Sequence, residues 1–398
     1  MKHLHTLLLR VVLLSTLILT SCSSTNSGEL DEEVGGSTAN KVAISVTEVT
    51  PKEGNGKITF SGEVGTAWSA EVVEGDNFVS FNLRKGQRVA SGEVLEAPMP
   101  NVLYFYYEEN QGVVDRNALI RFTLGDNKPV ELSFKQQSDA SASNPYAGVK
   151  GDTPRWSEIP AKVENSNYIY VTHSTELEGE EVRNFSMCYD TKSYAAAWVA
   201  YPYHRVFDGN MGRTDDWAFD PKIPREYQPN LDKSYRGSYD RGHQMPSADR
   251  QANYELNSQT FYYTNMTPQL DALNRHEWAE LEDDIRNQVC SDTLYVVTGA
   301  DYKHTIGTTA DADYKQCPIP GAYFKVLLRT KAGNSGKAIS ECSANELQAV
   351  GFWVEHRSYS AVPSPMSVKE IEEKTGFDFF PGVPDQVKSN FKASDWKF

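Results

Sequence analysis

The sequence has no excess of basic residues: 39 Lys and Arg stand against 54 Asp and Glu, a formal net charge of −15 over 398 residues. That deficit excludes a chromatin-like protein, whose footprint is basic. It runs through the chain, since residues 23–150 carry 11 basic against 18 acidic side chains and residues 151–398 carry 26 against 36. A local group of arginines can still hold a phosphate on an acidic protein. Cysteine is scarce, at five, and no Cys-x-x-Cys pair occurs, which argues against a thiolate zinc site. Apolar runs are short, none approaching the roughly 20 residues that a membrane-spanning helix needs. No internal repeat is present, which excludes solenoids and propellers.

The N-terminus sets the compartment. Lys2 and Arg10 precede a short apolar run, Val11 to Thr20, that ends at Ser21-Cys22. This is the layout of a cleaved secretory signal. Leu19-Thr20-Ser21-Cys22 resembles a bacterial lipobox, whose cysteine becomes the lipidated first residue. The expectation is therefore a signal peptide over 1–22, an acidic tether over 23–40, and a protein held at the bacterial cell envelope by lipid on Cys22. Either the periplasmic or the surface face of the outer membrane fits. Cys188, Cys290, Cys317 and Cys342 then allow two disulfides in three pairings, or four thiols; both readings stay open.

Residues 41–137 read as all-β. Ala43–Val46, Lys57–Phe60, Asn77–Phe81, Val102–Tyr107, Ala118–Leu124 and Val130–Phe134 are short alternating or apolar runs between Gly, Asn, Asp and Pro turns, the pattern of a small sandwich. The pairing of Arg116–Phe122 with Val130–Gln137, and Trp68, resemble the immunoglobulin-like BACON modules of bacterial surface enzymes. That resemblance implies a glycan or mucin ligand, and a plain spacer role is equally open. Residues 138–150, rich in small side chains, read as a linker. From 151 to 398 the pattern is α+β around a central antiparallel sheet, with strands at Tyr168–Val171, Asn184–Tyr189, Ala196–Tyr201, Leu294–Gly299, Ala322–Leu328 and Ala349–Val354. Ser367 and Glu370 form a capping box for a helix that stops at Gly376.

The chemistry gathers in residues 235–290. Asp240-Arg241-Gly242-His243 puts a carboxylate, a guanidinium and an imidazole within four residues, and Gly242 reads as a turn closed to other side chains. Thr264 to Gln269 leads into a helix predicted from Leu270 to Cys290. On it Asn274, Trp278, Glu282 and Arg286 recur at steps of four and form one ridge. A base, arginines, an amide oxygen and a carboxylate are the groups that metal-assisted phosphodiester cleavage requires. The long irregular stretch Val206 to Leu231, directly before them, has the character of a functional loop.

Asp240 to His243, Thr264-Asn265-Met266-Thr267-Pro268-Gln269, and Asn274, Trp278 and Glu282 together resemble the sugar-non-specific DNA/RNA endonucleases with a ββα-metal site. The resemblance runs from about Pro145 to Phe398 and takes in Ile371 to Pro381. It implies that His243 is the general base activating water and that Asn274 is the direct protein ligand of a single Mg²⁺, for which Mn²⁺ or another divalent ion could stand. Glu282 would hold a metal-bound water, and Arg286 would pair with Glu282 at i, i+4. Arg241 would grip phosphate, joined by the upstream arginine that fits the family's pattern, Arg213, with Arg205 as its competitor. Asp240 is expected to fix the turn or a neighbouring backbone group, Asn265 to orient the helix start or Asn274, and Trp278 to pack in the core.

Partners follow from the same resemblance. They are DNA and RNA held through phosphate, cut to leave 5′-phosphate ends, with no motif for reading base edges. Two other readings stay open: a phosphodiesterase for small diesters, suited to the acidic surface, and a glycan-binding lipoprotein whose C-terminal domain is catalytically dead.

Overall fold

The computed structural model describes residues 41–82, 86–138, 144–151, 153–359 and 364–398. The leader with Cys22, the tether 23–40 and part of the expected linker lie outside the described residues. No helix among the described residues is long and apolar enough to cross a membrane.

Nine strands fill the first part of the chain: β1 (Lys41–Ile44), β2 (Glu48–Val49), β3 (Gly54–Ser61), β4 (Ala67–Glu74), β5 (Val79–Ser80), β6 (Val89–Glu93), β7 (Val102–Tyr107), β8 (Arg116–Leu124) and β9 (Val130–Gln136). They form one sheet of order β1-β3-β7-β5 and another of order β2-β9-β8-β4-β6. Alternation along β8 sends Ala118, Ile120, Phe122 and Leu124 inward, where they share a core with Ile58 and Phe105 of the other sheet. Three strands, β2, β4 and β6, escaped the sequence reading. β6 is an edge strand with almost every side chain in solvent, so it carries no apolar alternation to detect.

The second part is built on a six-stranded antiparallel sheet. Its strands are β10 (Tyr168–Leu177), β11 (Glu180–Asp190), β12 (Ala195–Tyr203), β15 (Leu294–Ala310), β16 (Gln316–Thr330) and β17 (Leu347–Glu355), and they neighbour one another in that order. Both faces are covered, which is why these strands read as nearly continuous apolar runs. One face carries Val199, Tyr201, Val296, Tyr323, Leu327 and Phe352; the other carries Trp198, Val297, Phe324, Val326 and Leu328.

Five helices complete this part: α1 (Tyr254–Gln259), α2 (Asp271–Asn274), α3 (Glu277–Arg286), α4 (Val368–Thr375) and α5 (Asp385–Ser389). Leu273 of α2 and Trp278, Leu281 and Ile285 of α3 seal the first face, while Val368 and Ile371 of α4 and Val387 of α5 seal the second. The capping box at Ser367 and Glu370 forms as expected, and Gly376 ends α4 at φ 75°, a left-handed value that favours glycine.

Two buried polar knots fix the loops in front of the first face. Asp220 accepts hydrogen bonds from the His173 ring at 2.9 Å and from Thr264 at 2.7 Å, which pins the irregular 206–231 stretch to β10. Arg250, fully buried, donates to both carbonyl groups of Asn184 and to the backbone oxygens of Pro202 and Asp249. Cys188, Cys290, Cys317 and Cys342 are unbridged thiols, so of the two readings the structure takes the second.

Candidate active site

The Asp-Arg-Gly-His segment is a strand, β13 (Tyr239–His243), paired antiparallel with β14 (Met266–Leu270), and α2 and α3 follow directly. Gly242 is not in a turn. It faces Thr267 across the ladder, and a Cβ there would lie 2.6 Å from the Gln269 Cβ, so glycine is required by close approach. Because residues two apart in a strand share a face, Arg241 and His243 project together.

These residues wall a cavity of about 480 Å³ together with Arg213, Trp217, Ser234, Asp240, Ser247, Asn274, Arg275 and Glu282. The fold thus brings together Arg213, Asp240, Arg241, His243, Asn274 and Glu282 from separate stretches of the chain. Arg205 lies in an exposed 3₁₀ turn, does not line the cavity, and drops out as competitor to Arg213.

The His243 ring meets Trp217 and Phe261 edge to face, with centroids 5.6 and 5.1 Å away. Its Nε2 is shielded and has no protein partner, so its hydrogen bond to the Arg241 backbone belongs to Nδ1. Burial, followed by the charge of Arg213, pushes the imidazole down to about 3, which keeps it neutral through the physiological range. Arg241 is preset: it donates to the Leu231 carbonyl at 2.9 Å and lies 3.5 Å above the Trp217 ring. Arg213 is half-exposed, paired with Asp215 at 3.0 Å and 5.0 Å from the Phe261 ring centre.

The predicted single helix is in fact two, and Asn274 and Glu282 do not share one ridge. The chain breaks at His276, with φ −124° and ψ −99°, between α2 and α3. Just before the break Asp240 accepts from Asn274 Nδ2 at 3.0 Å and from Arg275 Nε and Nη2 at 2.8 and 2.6 Å. Asp240 therefore holds side chains, not the turn or a neighbouring backbone group. Burial draws its carboxyl upward, but these bonds outweigh it and keep it below the ordinary range. With Nδ2 so committed, the amide of Asn274 has its Oδ1 left for the cavity it lines.

Asn265 does not reach Asn274. Fully buried, it accepts from the Met245 N–H and donates to the carbonyls of Met245 and Thr260, fixing the chain just after His243.

Arg286 does not pair with Glu282 either. It bonds Asp249 at 3.0 Å and Asp283 on its own helix. Asp249 is itself held by the Tyr201 hydroxyl at 2.9 Å. Glu282 faces Lys325 instead, at 3.7 Å, and burial pushes its carboxyl up to about 7 against the pull of that lysine. Trp278 is core, as expected, at 2% exposure.

Sequence reasoning missed Arg275, Asp249 and Lys325. Only Lys325 left a trace, as the one charge inside the apolar run Ala322 to Leu328.

The assembled groups offer a shielded proton acceptor, planar cationic donors for an anionic oxygen pair, and an oriented amide oxygen beside a buried carboxylate. The sequence model of the family described as DNA/RNA non-specific endonuclease matches residues 165–386. A nuclease of Nostoc sp. is 28% identical over 244 residues, covering 59% of this chain and 81% of that protein. The mitochondrial nuclease 1 of Schizosaccharomyces pombe is 31% identical over 295 residues, 71% of this chain and 83% of the relative. A solved complex of EndoG with EndoGI aligns at a TM-score of 0.42 and 20% identity, over 54% of this chain and 88% of that one. With more than half its length matched by the family and a 31% identical relative covered over most of its own length, this chain belongs to the DNA/RNA non-specific endonucleases.

Proposed function

We propose that the protein is a divalent-metal-dependent endonuclease that hydrolyses phosphodiester bonds of DNA and RNA without sequence preference, with His243 as the general base. The observation that carries this reading is the His243 Nε2 atom, shielded and unpartnered on a ring that shares a cavity with Arg213, Arg241, Asn274 and Glu282. A neutral imidazole engaged at Nδ1 presents Nε2 as a proton acceptor, the role needed to activate water. Arg241 and Arg213 offer forked donors to phosphate oxygens, a geometry lysine cannot supply. Contacts limited to phosphate give little preference among sequences or sugars.

The donor set fits a metal that takes few protein ligands. Among the described residues no group of three His, Cys, Asp or Glu is placed to hold an ion. Asn274 offers one oriented amide oxygen, and such a site suits Mg²⁺, which keeps waters and takes substrate oxygens; Mn²⁺ could replace it. When bound, the ion supplies charge relief at the leaving 3′-oxygen. Glu282, a nearly buried acceptor on the cavity wall, is placed to orient a water by hydrogen bonding. Asp240 acts through Asn274, so Asp240→Ala is expected to slow plasmid cleavage about 10–100-fold, the usual cost of losing a group that orients a ligand. A wild-type rate in that variant would remove the positioning role.

Export with lipid on Cys22, and a glycan ligand for residues 41–137, belong to the same proposal and rest on the sequence alone. The deciding experiment incubates the chain lacking residues 1–22 with supercoiled plasmid, RNA and bis-p-nitrophenyl phosphate, in Mg²⁺ or EDTA. Both polymers should be degraded in Mg²⁺ only. Turnover of the small diester alone would move the reading to a phosphodiesterase, and no turnover in any sample would overturn it.

A further inference from the structure

Lys325, beside the cavity wall, is a buried charge to which the site described so far gives no task. Lys325 lies on β16 and is fully shielded from water. Strand alternation sends its neighbours Phe324 and Val326 to the face under α4 and α5, and Lys325 to the face under α3. There its Nζ lies 3.4 Å from Thr298 Oγ1, 3.7 Å from Glu282 Oε1 and 4.6 Å from the centre of the Trp278 ring. Thr298 is its register partner on β15, and Trp278 sits one turn before Glu282 on α3. An ammonium has three donors. The contact with Glu282 is an ion pair beyond hydrogen-bond length. For stability alone this is a poor arrangement, since an apolar side chain of similar volume would avoid the desolvation cost.

The surroundings of Glu282 explain what the lysine does. Asp249, from the 3₁₀ turn 247–249, is a like charge facing it, and Tyr201 of β12 approaches from the sheet. Arg286, on the same helix, is committed to Asp249 and Asp283. Lys325 is the remaining cation within reach among the described residues, and it approaches Oε1 from beneath the cavity wall. A charge so placed acts at 3.7 Å through a medium that screens poorly, even without a hydrogen bond.

We propose that Lys325 is a positioning residue for phosphodiester cleavage, holding the Glu282 side chain as a carboxylate and in one direction without touching substrate. The inference rests on the reading of Glu282 as a hydrogen-bond acceptor in the reaction.

The test compares wild type, Lys325→Met, Glu282→Gln and the double variant in the chain lacking residues 1–22. It measures kcat and KM on a defined duplex in saturating Mg²⁺, and thermal midpoints. Lys325→Met should lower kcat about 10–100-fold and leave KM within about twofold. In the Glu282→Gln background the same change should alter kcat by less than about twofold, because no carboxylate is left to hold. Losses that multiply in the double variant, or a wild-type kcat in Lys325→Met, would overturn the inference. Should Lys325→Met alone fail to fold, the double variant, which leaves no uncompensated buried charge, still decides against Glu282→Gln. A wild-type kcat in Glu282→Gln is a distinct result, which would overturn the reading of Glu282 itself.

Discussion

His243→Ala is expected to lower kcat on both plasmid DNA and RNA by about 10²–10⁴-fold, the range that a positioned general base contributes. The thermal midpoint should fall modestly, without loss of folding. Nε2 has no protein partner, so truncation strands nothing there, and the lost contacts are the Nδ1 bond to the Arg241 backbone and the edges against Trp217 and Phe261. KM should stay close to wild type, because Arg213 and Arg241, the groups placed to hold phosphate, do not depend on the imidazole for their own contacts. That split separates a base from a binding residue.

The depressed basicity of the free ring is compatible with its role as base. Burial and the two guanidinium charges cause it, and a bound phosphate offsets those charges where they act, raising the basicity of Nε2 when substrate is present. A variant that retains the wild-type kcat would eliminate His243 as the base.

What the sequence shows of this site depends on whether the chemistry is local. Asp240 to His243 could be picked out as one local cluster, but its reading as a turn at Gly242 hid the strand on which Arg241 and His243 share a face. The break between α2 and α3 could not be picked out. Asn274-Arg275-His276 contains neither proline nor glycine, and propensity alone carries the helix through it. The residues at the break are tied instead to a distant partner, Asp240, 34 residues away from Asn274, which takes bonds from both Asn274 and Arg275. The pairing of Arg286 failed for a similar reason. A local i, i+4 partner on a helix surface is worth only a few tenths of a kcal/mol, and Asp249, almost fully buried and held by Tyr201, is the stronger partner. The strands of the six-stranded sheet, with both faces covered, were found, and β6, an exposed edge strand in the first part of the chain, was not, because burial writes the apolar pattern.

Asn274→Ala should be nearly as damaging as loss of the base, with kcat/KM in 1–5 mM Mg²⁺ (about the usual assay range) down by about 10²-fold or more, since it deletes the amide oxygen itself where Asp240→Ala only frees it to turn. The more telling variant is Asn274→Asp. By charge alone a carboxylate is the better cation ligand, so a site indifferent to its surroundings would be improved. Here the new carboxylate would face Asp240, which now receives a 3.0 Å bond from the amide Nδ2. That donor would be gone, and two carboxylates at hydrogen-bond distance cannot both stay ionised without cost. Arg275 already pairs with Asp240 and would be shared between them. Asn274→Asp is therefore expected to stay well below wild type, and to recover when Asp240→Asn is added, because the amide and the carboxylate are then exchanged across the same contact. Titration of each metal-free variant with Mn²⁺, followed by its paramagnetic signal, should show the same order as the cleavage rates. Wild-type cleavage and Mn²⁺ affinity in Asn274→Ala would place the metal elsewhere. A single Asn274→Asp variant as active as the parent would show that Asp240 does not dictate an amide at this position.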